Sequence, residues 1–185
     1  MSLNKLQLNI AIGRSRYEKK WKNKTFTWPE LVHTLSETRR TAETYAEYMS
    51  APRKKQDEIK DVGGFVGGHL KEGRRKNGYV ENRSILTLDI DYAPPSFWQD
   101  LKSDMSLAII PQFACCIYST HKHSPNKPRL RLILPLAHPV GPEEYEAVAR
   151  KVAEQIGIDY FDDTTFEPAR LMYWPSTARD AEFFF

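Results

Sequence analysis

Cysteine is nearly absent: the 185 residues hold two, Cys115 and Cys116, side by side in an apolar stretch. Neighbouring strand residues point to opposite faces, which disfavours a disulfide between them, and two thiols do not make a zinc site. Both read as small packing residues of a reducing compartment, so the chain is expected in the cytoplasm. No run of about 18 apolar residues occurs, which removes a membrane-spanning helix. The N-terminus lacks the apolar core of a secretory signal. There is no internal repeat and no low-complexity tract. Charge is close to balanced, 27 Lys and Arg against 24 Asp and Glu, with a net charge of +3. What remains is one globular domain of ordinary composition, long enough to bury a core.

The distribution of charge says more than its sum. Basic residues cluster at Arg14, Arg16, Lys19, Lys20, Lys22 and Lys24, again over 39–55, and at Lys71, Arg74, Arg75 and Lys76. Acidic residues gather over 143–163. A single basic cluster is ordinarily a solvated face; three of them suit a polyanionic partner.

Local signals outline the elements. "LQLNIAIG" alternates as a strand. "TFTWPEL" starts a helix, with Thr27 as cap, Pro29 in the first turn and Glu30 three residues after the cap. The helical pattern resumes from Thr41 to Met49. Six glycines over 63–78 mark close-packed or flexible backbone. "PPSFWQDLKSDM" reads as a short helix capped by Ser96. "FACCIYSTH" and "PRLRLILPL" read as a hairpin, and "RLMYWPS" as one more strand. "GPEEYEAVARKVAEQIG" carries an apolar stripe of Tyr145, Val148, Ala149, Val152 and Ile156, and Gly157 stops it. Helices intermixed with directly joined strands predict an α+β fold with a mixed or antiparallel sheet. The Phe183-Phe184-Phe185 end is apolar for a surface terminus and points to a fragment of a longer chain.

Chemistry concentrates in four places. In "ILTLDIDY" the alternation sends Leu86, Leu88 and Ile90 to one face and Thr87, Asp89 and Asp91 to the other. The two carboxylates then stand about 6–7 Å apart at Cβ, from a rise of about 3.3 Å per residue, and can converge on hard cations. A strand end turning into a loop is the bland alternative. Ser119 and His121 repeat the same spacing on the next strand and suit phosphate oxygens. Arg129 and Arg131 share a face of the strand after that, where an arginine needs solvent or an anion. A further acid follows, for which Asp162 competes with Asp159 and Asp163, and Arg170 enters the last strand.

In order, Asp89-Ile90-Asp91, Ser119-Thr120-His121 and Phe161-Asp162 resemble the three signature motifs of the archaeo-eukaryotic primase, or primase-polymerase, superfamily. The flanks "VGGFVGGHL", "STHKHSPNKPRLRLILPL" and "FEPARLMYWPS" are similar to primase-like domains of phage and mobile-element replication proteins, which often precede a superfamily 3 or virulence-associated-protein-E type helicase. The resemblance covers residues 60–180, with 1–60 matching loosely. It implies a core like an RNA-recognition motif, with helices on one face and the other left for chemistry. It implies a DNA primase or polymerase joining nucleoside triphosphates on a single-stranded DNA template. Asp89, Asp91 and Asp162 would hold two Mg²⁺ or Mn²⁺ ions, with His121 beside them in the catalytic centre. Ser119, His121, Arg129, Arg131 and Arg170 would bind the nucleotide, the basic N-terminal part and the glycine-rich stretch would guide the template, and a helicase would be fused or associated.

Two rivals stand beside it. A relaxase or HUH-type initiator pairs two histidines around a hydrophobic residue, whereas His121-Lys122-His123 has lysine in the middle. A nucleic-acid-binding module would keep the sheet without the chemistry.

Overall fold

The computed structural model describes residues 3–103 and 113–185. In chain order its elements are β1 (Gln7–Gly13), β2 (Lys22–Thr27), α1 (Trp28–Ser36), β3 (Arg39–Arg40), α2 (Tyr45–Ser50), α3 (Arg53–Ile59), β4 (Gly64–Val66), β5 (Gly68–Leu70), β6 (Val80–Ile90), α4 (Pro95–Lys102), β7 (Cys116–Ser119), β8 (Leu130–Val140), α5 (Pro142–Ile156), β9 (Met172–Tyr173) and β10 (Ser176–Thr177). The fold is α+β, with two four-stranded antiparallel sheets in the orders β5-β6-β8-β7 and β2-β1-β4-β9. A parallel pair of β10 and β3 accompanies them. Among the described residues no helix is long and apolar enough to cross a membrane.

Local chemistry accounts for most element ends. Thr27 accepts from the Glu30 amide while Glu30 takes the Thr27 amide, a reciprocal cap worth about 1 kcal/mol. The same device recurs at Thr44 and Glu47, which is why α2 begins at Tyr45 rather than at Thr41. In α4 the cap position belongs to Pro94 and Ser96 lies inside the first turn, a correction to the expected Ser96 cap. Asp104 and Met105, the end of the segment read as that helix, lie outside the described residues. Gly157 closes α5 at φ 131°, a conformation that disfavours any side chain. "RLMYWPS" forms two short strands instead of one, β9 and β10, separated by Trp174 and Pro175.

The acid-bearing strand β6 is central to its sheet. One face packs Leu86, Leu88 and Ile90 against α4 and α5, with Phe97, Trp98, Tyr145 and Ala149 in the same core. The other face is not bare, which corrects the expectation of an open surface. Ile85, Tyr118 and Ile133 there meet Leu8 and Ile10 of β1, Phe65 of β4 and Leu31 and Leu35 of α1. The loosely matched N-terminal part therefore supplies half of the packing. Only the end of this face, beyond Thr87, opens to solvent.

The chain crosses between the two sheets at Gly67. Its carbonyl accepts from the amides of Ser84 (2.8 Å) and Ile85 (3.2 Å) and from Arg83 Nε (3.2 Å). The register of β6 against β8 slips between Arg83 and Ile85, and Ser84 uses the irregularity to accept from the Asn9 amide of β1. Arg83 is fully buried and has no carboxylate partner among the described residues. Carbonyls of Gly67, Ile85 and Pro168 and the Thr87 hydroxyl satisfy it, and its guanidinium lies 3.9 Å over the Tyr145 ring. The glycine-rich segment is thus tightly packed. A Cβ at Gly68 would lie 1.9 Å from the Asn82 carbonyl oxygen. Gly68→Ala is therefore expected to cost about 3 kcal/mol through overpacking against backbone, read as a lower urea midpoint at unchanged m-value; a midpoint equal to that of the native protein refutes the packing account.

Candidate active site

Beyond the end of β5 the free edge of β6 is taken over by residues 160–165. Ile90 and Phe161 form a bridge, the Asp162 amide donates to the Asp89 carbonyl (3.1 Å), and the Asp91 amide donates to the Tyr160 carbonyl (2.9 Å). Thr165 Oγ accepts from the Asp89 amide (2.7 Å) and donates to the Thr87 carbonyl (3.2 Å). Edge pairing of a remote segment is what delivers Asp162 beside Asp89. Asp159 and Asp163 are exposed and do not line the cleft into which Asp162 faces.

Each of the three acids is met by an arginine. Asp89 Oδ1 receives Arg131 Nε at 2.7 Å, and Arg131 also donates to the Tyr173 carbonyl of β9. Asp91 Oδ2 lies 3.0 Å from Arg129 Nη1. Arg170 Nη2 stands 3.6 Å from both Asp89 Oδ2 and Asp162 Oδ2. The cross-strand register, Asp89 opposite Arg131, sets the first pair. Burial works against the Arg131 charge, but Asp89 beside it holds its pKa above the ordinary value. Partial burial would raise the Asp162 carboxyl; two hydrogen bonds from Thr164 and the nearby arginines hold it below the usual range.

These residues line a cleft of about 910 Å³ together with Ser119 and His121. Its opposite wall comes from α3, through Arg53, Gln56, Asp57 and Lys60, and from Arg16, Tyr17 and Arg75. Eight arginines and lysines line it against five carboxylates, so the cavity favours an anionic occupant. Asp57 joins Arg16 (3.0 Å) to Lys60 (2.8 Å); hydrogen bonds from Lys60 and then Arg16 draw its carboxyl down to about 2. Lys122 and Arg53 have no carboxylate within 4 Å among the described residues.

Ser119 and His121 do not share a strand face. β7 ends at Ser119, and His121 sits in the turn that follows, so the expected i, i+2 alignment is lost at the strand end. The Ser119 hydroxyl accepts from the Phe184 amide (3.0 Å). His121 is buried, with Nδ1 3.0 Å from Ser176 Oγ and Nε2 3.1 Å from Glu43 Oε1. His123 points elsewhere: its ring packs 4.4 Å from Trp98, its Nδ1 accepts from the Arg129 amide, and burial pushes its pKa down to about 4. The two histidines do not converge, so the paired-histidine arrangement of a relaxase is not formed.

The family profile of the VapE N-terminal domain matches residues 2–185. The chain belongs to that family. Among solved structures, the AEP domain of the primase-polymerase of cyanophage S-2L is similar, at 15% identity and a TM-score of 0.44, over 91% of this chain and 72% of that one. Curated proteins give no match.

In this VapE-type domain several residues that line the cleft or support its lining carry no local signal in the sequence. Glu43 and Ser176 embrace His121 from elements 78 and 55 residues away in sequence. Arg16 stands in a basic segment of the sequence, whereas neither Lys60 nor Asp57 carries a local signal. The His121 environment is testable. Burial lowers its pKa and Glu43 opposes that. Removing the carboxylate removes the opposition, so Glu43→Gln should shift the His121 titration further down, measured by nitrogen-15 correlation of the imidazole. A His121 pKa that stays or rises contradicts the pairing.

Proposed function

We propose that the cleft is a nucleotidyl-transfer site that joins nucleoside triphosphates on a single-stranded DNA template in the cytoplasm, as a DNA primase or polymerase of phage or mobile-element replication. The observation that carries this reading is the convergence of Asp89, Asp91 and Asp162 with Arg129, Arg131 and Arg170 in one net-cationic cleft. The order of the motifs and the VapE family support it, as does the association of such domains with helicases.

The donor set is compatible with divalent metal. All three acids are hard oxygen donors, suited to Mg²⁺ or Mn²⁺ and not to softer ions. Arg170 already places positive charge between Asp89 and Asp162. Among the described residues, however, no three His, Cys, Asp or Glu side chains stand close enough to grip one ion. Arginine side chains would have to swing aside first. A metal pair on Asp89, Asp91 and Asp162 would supply activation of the attacking 3′-hydroxyl and stabilisation of the pyrophosphate leaving group. The chain's own residues do the rest. Arg129 and Arg170, freed from carboxylates, turn to the triphosphate, where guanidinium binds phosphate bidentately. Arg53 and Lys60 add charge from the facing wall, and Lys122 from the turn after β7. Arg131, buried and held by the Tyr173 carbonyl, stays paired with Asp89. The Ser119 hydroxyl accepts from Phe184 and keeps its own proton for a phosphate oxygen; His121 reaches phosphate only by giving up Ser176 or Glu43, and the turn it occupies presents Lys122.

One observation favours a second reading, a nucleic-acid-binding module without chemistry: Asp89 Oδ1 is already held by the buried Arg131. The two separate in a single assay. Asp89 is a poor choice for it, because removing one partner of a buried pair costs about 3–5 kcal/mol. Asp91→Asn and Asp162→Asn lie nearer solvent. With labelled nucleotide, Mn²⁺ or Mg²⁺ and single-stranded DNA, the native protein should form product, and each variant should lose at least about 100-fold in rate while keeping its DNA affinity. Product formation unchanged by both substitutions rejects the transfer site; binding without product from the native protein supports the module.

A further inference from the structure

Two basic segments about 50 residues apart in sequence form one surface. The Trp21 amide donates to the Gly73 carbonyl (2.8 Å), and Arg75 Nη2 donates to the Arg16 carbonyl (3.3 Å). Arg75 also lies 5.5 Å over the Trp21 ring. Asn23 exchanges two hydrogen bonds with Leu70, at 2.9 and 3.0 Å. Gly73 makes the approach possible: its φ is +67°, and a Cβ there would lie 2.4 Å from the Trp21 carbonyl oxygen. The join is built by backbone and buried contacts, so the charges are held together whether or not they repel.

The acids within the two segments, Glu18 and Glu72, are each taken by an arginine, Arg14 at 3.0 Å and Arg74 at 3.7 Å. Lys19, Lys20, Lys22, Lys71 and Lys76 are exposed and have no carboxylate within 4 Å among the described residues. The surface runs into the cleft, because Arg16, Tyr17 and Arg75 line both. Tyr17 stands beside the cationic row with 67% of its surface exposed; the Arg16 guanidinium lies 4.7 Å from its ring centroid on one face, which leaves the other face for stacking.

We propose that this surface is a track for single-stranded nucleic acid, gripped at its phosphates by the lysines and led past Tyr17 into the cleft. It rests on the reading of the cleft as a nucleotidyl-transfer site and names the path of the template. Unpaired strands suit it better than duplex, since an exposed tyrosine can stack only on a base that is free of a partner. DNA and RNA share this chemistry.

The test is fluorescence anisotropy with labelled oligothymidylate, oligouridylate and a duplex of equal length, across a salt series and without nucleotide. Reversing Lys19, Lys22 and Lys76 to Glu should weaken single-strand binding at least about tenfold. It should also flatten the dependence of log K on log salt by about 2, at about 0.7 for each phosphate that the protein no longer neutralises. Tyr17→Ala should weaken binding with no change in that slope. Arg150→Glu with Lys151→Glu, on the exposed side of α5, should change neither. Tighter binding of oligothymidylate assigns DNA, and of oligouridylate RNA. Equal affinity of native and charge-reversed protein, equal loss in the α5 variant, or equal affinity for duplex overturns the track whatever the extension assay shows. Binding that follows the three lysines while no product forms leaves the track standing and removes the transfer reading instead.

Discussion

The pairing of Asp89 with Arg131 is the interaction on which the arrangement depends. Both groups are buried at the meeting of the two sheets, where an unpaired charge would cost several kcal/mol. Their 2.7 Å contact fixes β6 against β8 in the register that aims Asp89 along the cleft, and Arg131 carries the fixation on to β9 through the Tyr173 carbonyl. A hydrophobic pair would pack this position at least as well. The position holds charge instead, on the lining of a cleft that is net cationic.

A second constraint places the third acid. β5 is too short to cover the edge of β6, and residues 160–165 complete it with main-chain bonds to Asp89 and Asp91. Arg83 steadies the following loop from below by binding the Pro168 carbonyl, two residues before Arg170. Asp162 and Arg170 therefore depend on an arginine that never reaches the cleft. The site is assembled from sheet edges and buried polar ties rather than from one continuous motif.

What was legible in the sequence was local. The alternation in 85–91 placed Asp89 and Asp91 on one face, the Thr27–Glu30 cap started α1 where expected, and α5 runs from Pro142 to its stop at Gly157. The hairpin of β7 and β8 and the α+β class were readable for the same reason. Longer-range facts were not. Nothing in 85–91 announces that a second sheet covers most of the acid face, because burying Ile85 there depends on β1 and α1. The spacing of Ser119 and His121 misled because the strand stops between them. Phe183 and Phe184, apolar for a surface terminus, each pack against a different core, and Phe184 pairs with Ser119, contacts that no local pattern announces. Glu43 and Ser176 meet His121 only through tertiary structure.

Nucleotidyl transfer in this cleft would require an exchange of partners, in which carboxylates pass from arginine to cation and arginines pass from carboxylate to phosphate. The most direct measurement is a crystal structure with Mn²⁺ and a non-hydrolysable nucleoside triphosphate, read by anomalous scattering. Manganese peaks against Asp89, Asp91 and Asp162, with Arg129 and Arg170 turned onto the phosphates, are the predicted result. Manganese bound away from these acids, with Arg129 still closed on Asp91, Arg170 still between Asp89 and Asp162 and the triphosphate elsewhere, would contradict it.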